Sequence, residues 1–307
     1  MSLKLSGKTI AAAINKASKA IIAEHGLKPK MLLIQVGEDP ASSYYVQSIV
    51  NTAPKLGCEA ELLTLAPDCG EEHLLRIVAE ANSKPGIHGI MIQKPLPNEI
   101  DDSKVNLMID PDKDLDALHP INLGKILMEK EAFLPCTPAA VYYTMKYYQI
   151  DAAGKNTVIL GRSNVVGKPL ANMLLWKRPC ANATVTVCHS KTKGLTGICA
   201  AADILISAIG RASFVRQDMV KAGAVVIDVG INEITDAEGK QAYVGDVDYD
   251  ACAEKVAAIT PVPGGIGRIT TAVLYSNLVK ANLLAARINK NVDEYIDMIF
   301  SENQKKL

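Results

Sequence analysis

Residues 157–169 read TVILGRSNVVGKP. Thr157 to Leu160 is an apolar run of strand length. Gly161 ends it, and a helical pattern opens at Gly167. Strand, tight turn and helix form the unit on which a dinucleotide rests its pyrophosphate, the negative charge lying against a helix N-terminus. The glycines are spaced G-x-S-x-x-x-G rather than G-x-G-x-x-G. Taken alone, the stretch also fits an ordinary glycine turn of an α/β protein. The end of the following strand sharpens the reading. It carries Cys188-His189-Ser190-Lys191, where an NAD site usually places Asp or Glu for the ribose hydroxyls. Arg162, Ser190 and Lys191 instead offer donors suited to a 2′-phosphate. That favours NADP over NAD, with solvated surface charge as the other account of Arg162 and Lys191.

Strands and helices alternate on both sides of this turn. Behind it come Met31 to Val36, Glu59 to Leu65 and Gly89 to Gln93 as strands. Pro40 to Leu56, Glu71 to Ala81 and Pro138 to Tyr148 read as helices. Ahead of it lie strands at Ala183 to Val187, Ile204 to Ser207, Ala224 to Val229 and Ala257 to Thr260. A long helical pattern follows from Thr271 to Ile288. Such alternation predicts parallel strands joined by crossover helices. Turn residues in DAAGKN, near Ile150 to Lys155, mark a boundary. The expected architecture is α/β with two domains: an N-terminal α/β catalytic domain and a Rossmann-like dinucleotide-binding domain, with a cleft between them. The expected limits are 1–149 for the first, with helices of 272–307 packing back onto it, and 150–271 for the second.

Composition narrows the function. The chain has 307 residues, 49% hydrophobic and 21% charged, which excludes disorder and a coiled coil. Lys plus Arg (33) balances Asp plus Glu (33), so a dedicated nucleic-acid surface is not expected. The apolar run Ile198 to Ile209 is broken by Asp203 and Ser207 and falls short of the ~20 residues of a membrane span. The N-terminal stretch lacks a continuous apolar core before a cleavage site. Seven scattered cysteines form no C-x-x-C pair. They read as reduced thiols of a cytoplasmic protein, and no metal site is expected.

Eight segments recur in one order: VGEDPASSYYV (36–46), GIMIQKPLP (89–97), DPDKDLDALHPINLG (110–124), PCTP (135–138), LGRSNVVGKP (160–169), DVGIN (228–232), VGDVD (244–248) and TPVPGGIG (260–267). Together they resemble the bifunctional methylenetetrahydrofolate dehydrogenase/methenyltetrahydrofolate cyclohydrolase family, the FolD type, over nearly the whole chain. The resemblance implies oxidation of 5,10-methylenetetrahydrofolate to 5,10-methenyltetrahydrofolate with NADP in one-carbon metabolism. It also implies hydrolysis of that product to 10-formyltetrahydrofolate, and a homodimer paired through the cofactor domains. By the same resemblance, Tyr45 stacks on the aminobenzoate ring and Gln93 lies beside the reacting carbon. Asp116 accepts from the pterin, and Pro263, Gly264 and Gly265 let backbone approach the substrate closely. Gly161, Arg162, Ser163, Val166, Gly167, His189, Ser190 and Ile231 are the implied cofactor-binding residues. Singly, Tyr45 is also a helix-face aromatic, Asp116 a turn residue and Pro263-Gly264-Gly265 a loop.

Four positions depart from the family pattern. The catalytic lysine stands four residues after the tyrosine, and that position is Ile49. Two residues on, a basic position is Asn51. A register reaching Lys55 breaks the Ser42 and Gly57 matches, and Lys55 lies almost three helical turns from Tyr45. Isoleucine cannot move a proton or hold a charge, so hydrolysis is doubtful while hydride transfer is expected to survive. Lys94 replaces an apolar residue beside Gln93, and it is expected to bring an amine to the site by another route or to point away. Arg268 stands where proline is common, either binding an anionic group or lying on exposed surface. The rival readings are a non-catalytic folate- or NADP-binding relic and another two-domain NADP oxidoreductase of the shikimate dehydrogenase sort. The second leaves QKPLP and DKDLDAL unexplained.

Overall fold

A computed structural model describes residues 2–235, 239 and 241–305. The strands are β1 (Leu3–Lys4), β2 (Lys30–Val36), β3 (Glu59–Leu65), β4 (Gly89–Ile92), β5 (Asn156–Leu160), β6 (Thr184–Cys188), β7 (Ile204–Ser207), β8 (Val225–Asp228), β9 (Asn232–Thr235), β10 (Gln241–Val244) and β11 (Ala258–Ile259). The helices are α1 (Gly7–His25), α2 (Pro40–Leu56), α3 (Glu71–Ser83), α4 (Asp102–Met108), α5 (Pro120–Leu127), α6 (Cys136–Tyr147), α7 (Gly167–Leu174), α8 (Leu195–Ala200), α9 (Tyr249–Ala253), α10 (Gly267–Ala285) and α11 (Val292–Gln304). They assemble as an α/β protein of two compact units. One comprises residues 13–125, 131–134 and 272–307; the other comprises 1–12, 126–130 and 135–271.

The first unit is built on a three-stranded parallel sheet in the order β3-β2-β4. The chain leaves β2 for β3 on one side and returns to β4 on the other. Loops after β2 and β4 therefore open beside each other at the carboxyl end of the sheet, where open α/β sheets bind ligands. Leu32, Ile34, Ile90, Leu74, Val78 and Val105 form its core. Near-continuous apolar strands such as MLLIQV suit a sheet covered on both faces.

The second unit holds a six-stranded sheet in the order β1-β11-β8-β7-β5-β6, its pairs parallel. β5 lies between β6 and β7, so the sheet reverses its winding there. Val158, Leu160, Leu205, Val226 and Ile259 fill its core with Cys199 and Cys252.

The parallel strands and crossover helices follow the sequence pattern, and three details differ. Leu3–Lys4, which the sequence reads only as a strand-like entry, joins the six-stranded sheet beside β11. α10 begins at Gly267, four residues before the expected start, because glycine in a first turn costs little when tertiary contacts hold the helix. β9 and β10 form an antiparallel pair that the sequence reading lacked. Among the described residues, no helix is long and apolar enough to cross a membrane.

Candidate active site

α2 starts where the chain leaves β2. The Asp39 carboxylate caps it by accepting from Ser42 N at 2.9 Å, and Pro40 stands in its first turn. The buried Gln35 at the end of β2 donates from Nε2 to Ser43 Oγ at 2.7 Å, which ties strand to helix. Tyr45 and Ile49 follow on one face, a turn apart. Tyr45 is half-buried and Ile49 is fully buried, 0% exposed. Position 49, to which the resemblance assigns a lysine, is thus an apolar core position in this chain.

Gln93 follows β4 directly, and its backbone N–H continues the ladder to Ile34 O at 2.8 Å. Its Nε2 donates to Lys94 O at 2.6 Å. Its Oε1 is buried and has no hydrogen-bond partner among the described residues. A buried amide oxygen left without a donor is costly unless a ligand supplies one or a positive charge faces it. Lys94 does not offer a free amine: its Nζ lies 2.6 Å from Asp102 Oδ1, in an ion pair that ties the loop to the start of α4.

The segment bearing Asp116 runs along the outer side of β4. Ile90 and Asp114 form a parallel bridge, with Ile90 N donating to Lys113 O at 2.7 Å. Asp116 is therefore delivered to the same sheet end as Gln93. Asp114 shapes the loop: its Oδ2 accepts from His119 N at 2.8 Å and Asn122 Nδ2 at 3.1 Å. Burial pushes the Asp114 carboxyl up, and those two bonds pull against it. α10 braces both parts. Tyr275, fully buried, donates to Ile49 O at 2.7 Å. Asn277 Nδ2 donates to Leu115 O at 2.8 Å and to Leu134 O at 2.9 Å. The side chains that hold the site thus come from a helix 162 residues beyond Leu115 and 226 residues beyond Ile49.

In the second unit, the turn after β5 closes tightly. Gly161 has φ of 112°, and a Cβ there would overlap the carbonyl of Ala208. A Cβ at Gly167 would overlap Gly161 O. Ser163 Oγ accepts from Val166 N at 3.0 Å at the entrance to α7. Arg162 is exposed on this turn, and Ser190 and Lys191 are exposed at the end of β6. No carboxylate follows β6. His189 precedes them, its Nδ1 accepting from Lys191 N at 3.2 Å. A glycine cradle, a helix N-terminus and cations at the adjacent strand end fit a dinucleotide with an added ribose phosphate.

Ile231 is 59% exposed, and its side chain reaches towards Gly267. Gly264, beside Pro263 and Gly265, gives its carbonyl to Gly7 N at 2.9 Å. That loop is held by the chain's own N-terminal segment. Arg268 is exposed in the first turn of α10. Among the described residues, no three His, Cys, Asp or Glu side chains group as a metal site.

Sequence reasoning missed the supports. Tyr275 and Asn277 sit inside a helix with no motif signal. Asp228 and Asp246 belong to DVGIN and VGDVD, which were legible as motifs without a role. Both are buried at the carboxyl end of the six-stranded sheet.

The comparisons with known proteins agree with this geometry. Residues 5–116 match the catalytic domain of tetrahydrofolate dehydrogenase/cyclohydrolase, and residues 135–286 match its NAD(P)-binding domain. The chain is 46% identical over 267 residues to the bifunctional protein FolD of Chlorobium chlorochromatii, covering 86% of this chain and 90% of that one. It resembles the crystal structure of FolD from Campylobacter jejuni with a TM-score of 0.85 at 39% identity, over 92% of this chain and 99% of that one. The Trypanosoma brucei enzyme, complexed with NADP cofactor and inhibitor, gives a TM-score of 0.87 at 33% identity, over 93% and 99%. With both domains matched and the relatives covered almost end to end, the chain belongs to the tetrahydrofolate dehydrogenase/cyclohydrolase family.

Proposed function

We propose that the protein oxidises 5,10-methylenetetrahydrofolate to 5,10-methenyltetrahydrofolate with NADP, and that hydrolysis to 10-formyltetrahydrofolate is its weak or lost activity. The observation that carries this reading is the pairing of Gln93 with Ile49. The amide oxygen of Gln93 is buried and unpartnered, while Ile49 offers no titratable group in a fully buried position.

Hydride loss leaves a cation on the folate. A buried carbonyl dipole stabilises such charge in a site where water does not screen it. Gln93 Oε1 is suited to that task. Tyr45 supplies a ring face for the aminobenzoate. Asp116 accepts from the pterin amine and ring nitrogen, fixing which carbon is presented. The Gly161 turn with Ser163, Val166 and Gly167, together with Arg162, Ser190, His189 and Ile231, holds NADP, and Pro263, Gly264 and Gly265 line the substrate. When bound, NADP accepts the hydride. Hydrolysis asks for more: a group must take a proton from water as it attacks the cation. Ile49 cannot do so, and the Lys94 ammonium is paired with Asp102. Membership of the family sets aside the shikimate dehydrogenase alternative. Seven scattered cysteines with no C-x-x-C pair favour a reducing, cytoplasmic setting.

The test follows NADPH and methenyltetrahydrofolate separately, with spontaneous hydrolysis slowed and subtracted. Methenyl product accumulating in step with NADPH supports the proposal. Consumption of methenyl product well above the blank overturns the second half of it and makes Lys94→Met the next variant. Tight binding without turnover would leave only a folate- and NADP-binding relic.

A further inference from the structure

Two carboxylates in the second unit remain without a role in the chemistry above. Asp246 is fully buried and accepts five hydrogen bonds. Its Oδ2 takes Ser207 Oγ at 3.1 Å, Ile209 N at 2.7 Å and Gly210 N at 3.3 Å. Its Oδ1 takes Arg211 N at 2.8 Å and Asn232 Nδ2 at 3.0 Å. Three successive backbone amides of the loop after β7 therefore converge on one side chain. Asn232, next to Ile231, converges on it as well.

Asp228, at the end of β8, holds Asp246 in turn. Its Oδ1 accepts from Gly230 N at 2.9 Å and Asp246 N at 3.0 Å, and its Oδ2 accepts from Val247 N at 2.9 Å. Thr260 Oγ1 accepts from Asp228 N at 2.7 Å, linking the clamp to the TPVPGG segment. The packing leaves no room for side chains: a Cβ at Gly245 would overlap Asp228, and one at Gly230 would overlap Asp246. Burial, with the charge of Asp246 added, pushes the Asp228 carboxyl up to about 6. Ionised at neutral pH, it needs the three amides that surround it.

The place of this clamp gives it a purpose. The sheet reverses its winding between β5 and β7, and the Gly161 turn presses against Ala208 just after β7. That is the point at which such sheets take their nucleotide. A loop with its amides drawn inward onto a carboxylate has one shape, whereas a free loop samples many.

We propose that Asp246, itself held by Asp228, is a positioning residue for NADP: it fixes the loop after β7 and the Ile231 segment in the shape that receives the cofactor. The proposal rests on the reading of this unit as the NADP-binding one. Asp246→Asn turns one acceptor oxygen into a donor facing backbone N–H groups, so the loop must rearrange.

The experiment titrates NADPH into the folded protein and reads the reduced-nicotinamide fluorescence, with no folate present. Asp246→Asn is expected to raise the Kd by about tenfold or more. Steady-state assays should show KM for NADP rising in parallel, with KM for methylenetetrahydrofolate within about twofold of the starting protein. An unchanged NADPH Kd in a folded variant overturns the proposal. Should Asp246→Asn fail to fold, Asn232→Ala removes a single donor from the clamp, and a Kd about threefold higher is expected. An unchanged Kd there overturns the proposal equally. If the unaltered protein binds no NADPH, the reading beneath the proposal fails with it. If the unaltered protein binds and the variants bind equally well, only the positioning role fails.

Discussion

Ile49 stands where the family resemblance implies a proton-handling lysine, and isoleucine cannot titrate. Its side chain is fully buried, and its carbonyl is pinned by Tyr275. The backbone position is therefore fixed whatever side chain it carries. This makes Ile49→Lys a clean test of the proposed hydrolytic deficit. The lysine stem can follow the apolar path of isoleucine and bring its ammonium out at the Tyr45 face. Methenyltetrahydrofolate hydrolysis is expected to rise about tenfold or more, within the range that proton-transfer groups supply. The variant should also lose ~2–4 kcal/mol of stability in a denaturant titration, because the longer stem overpacks a fully buried apolar position. Ile49→Met, of similar volume, should leave both reactions unchanged. Hydrolysis still at the blank in a folded Ile49→Lys protein would show that the missing lysine is not the cause.

α2 and α10 show what a sequence displays and what it hides. The limits of α2, Pro40 to Leu56, were readable because Asp39-Pro40 opens it and Gly57 closes it with φ of 77°. Its Tyr45–Ile49 face followed from helical spacing alone. The long apolar pattern of α10 was equally plain. Its partners were not, since Tyr275 and Asn277 bond to backbone carbonyls, and a carbonyl leaves no trace in residue type. The same holds for Asp246, whose donors are mostly amides of the loop after β7. Motif residues were therefore legible, and the residues that hold them were not. Asn277 gives this a measurable consequence. Removing its amide in Asn277→Ala leaves two buried carbonyls, Leu115 O and Leu134 O, short of a donor. A loss of ~2–4 kcal/mol is expected, with a higher KM for methylenetetrahydrofolate, because Leu115 adjoins Asp116. NADPH affinity should stay the same, since that binding belongs to the other unit. A change in NADPH affinity equal to the change in folate KM would show that Asn277 does not act through the Asp116 segment.

The cysteines sample both units at once, which makes them reporters of the whole fold. The sequence offered seven scattered thiols and no way to rank them. Cys58, Cys136, Cys188, Cys199 and Cys252 are buried, while Cys69 and Cys180 are half-exposed. Burial pushes the Cys58 and Cys199 thiols up to about 12 and Cys252 up to about 11. The thiolate is the reactive form, so these three are protected twice, by access and by protonation. Cys58 belongs to the first unit, and Cys199 and Cys252 belong to the core of the second. Brief alkylation of the native protein at about pH 7.5 should therefore mark Cys69 and Cys180 alone, read by peptide mass spectrometry. Cys69 should react slowly, since burial and the neighbouring Asp68 charge raise its thiol. All seven should react once the chain is unfolded. If the units open independently, alkylation in rising denaturant should mark Cys58 at a different midpoint from Cys199 and Cys252. A common midpoint for all three would mean that the two units unfold together. Rapid native labelling of any of the three would contradict the packing of the core that contains it.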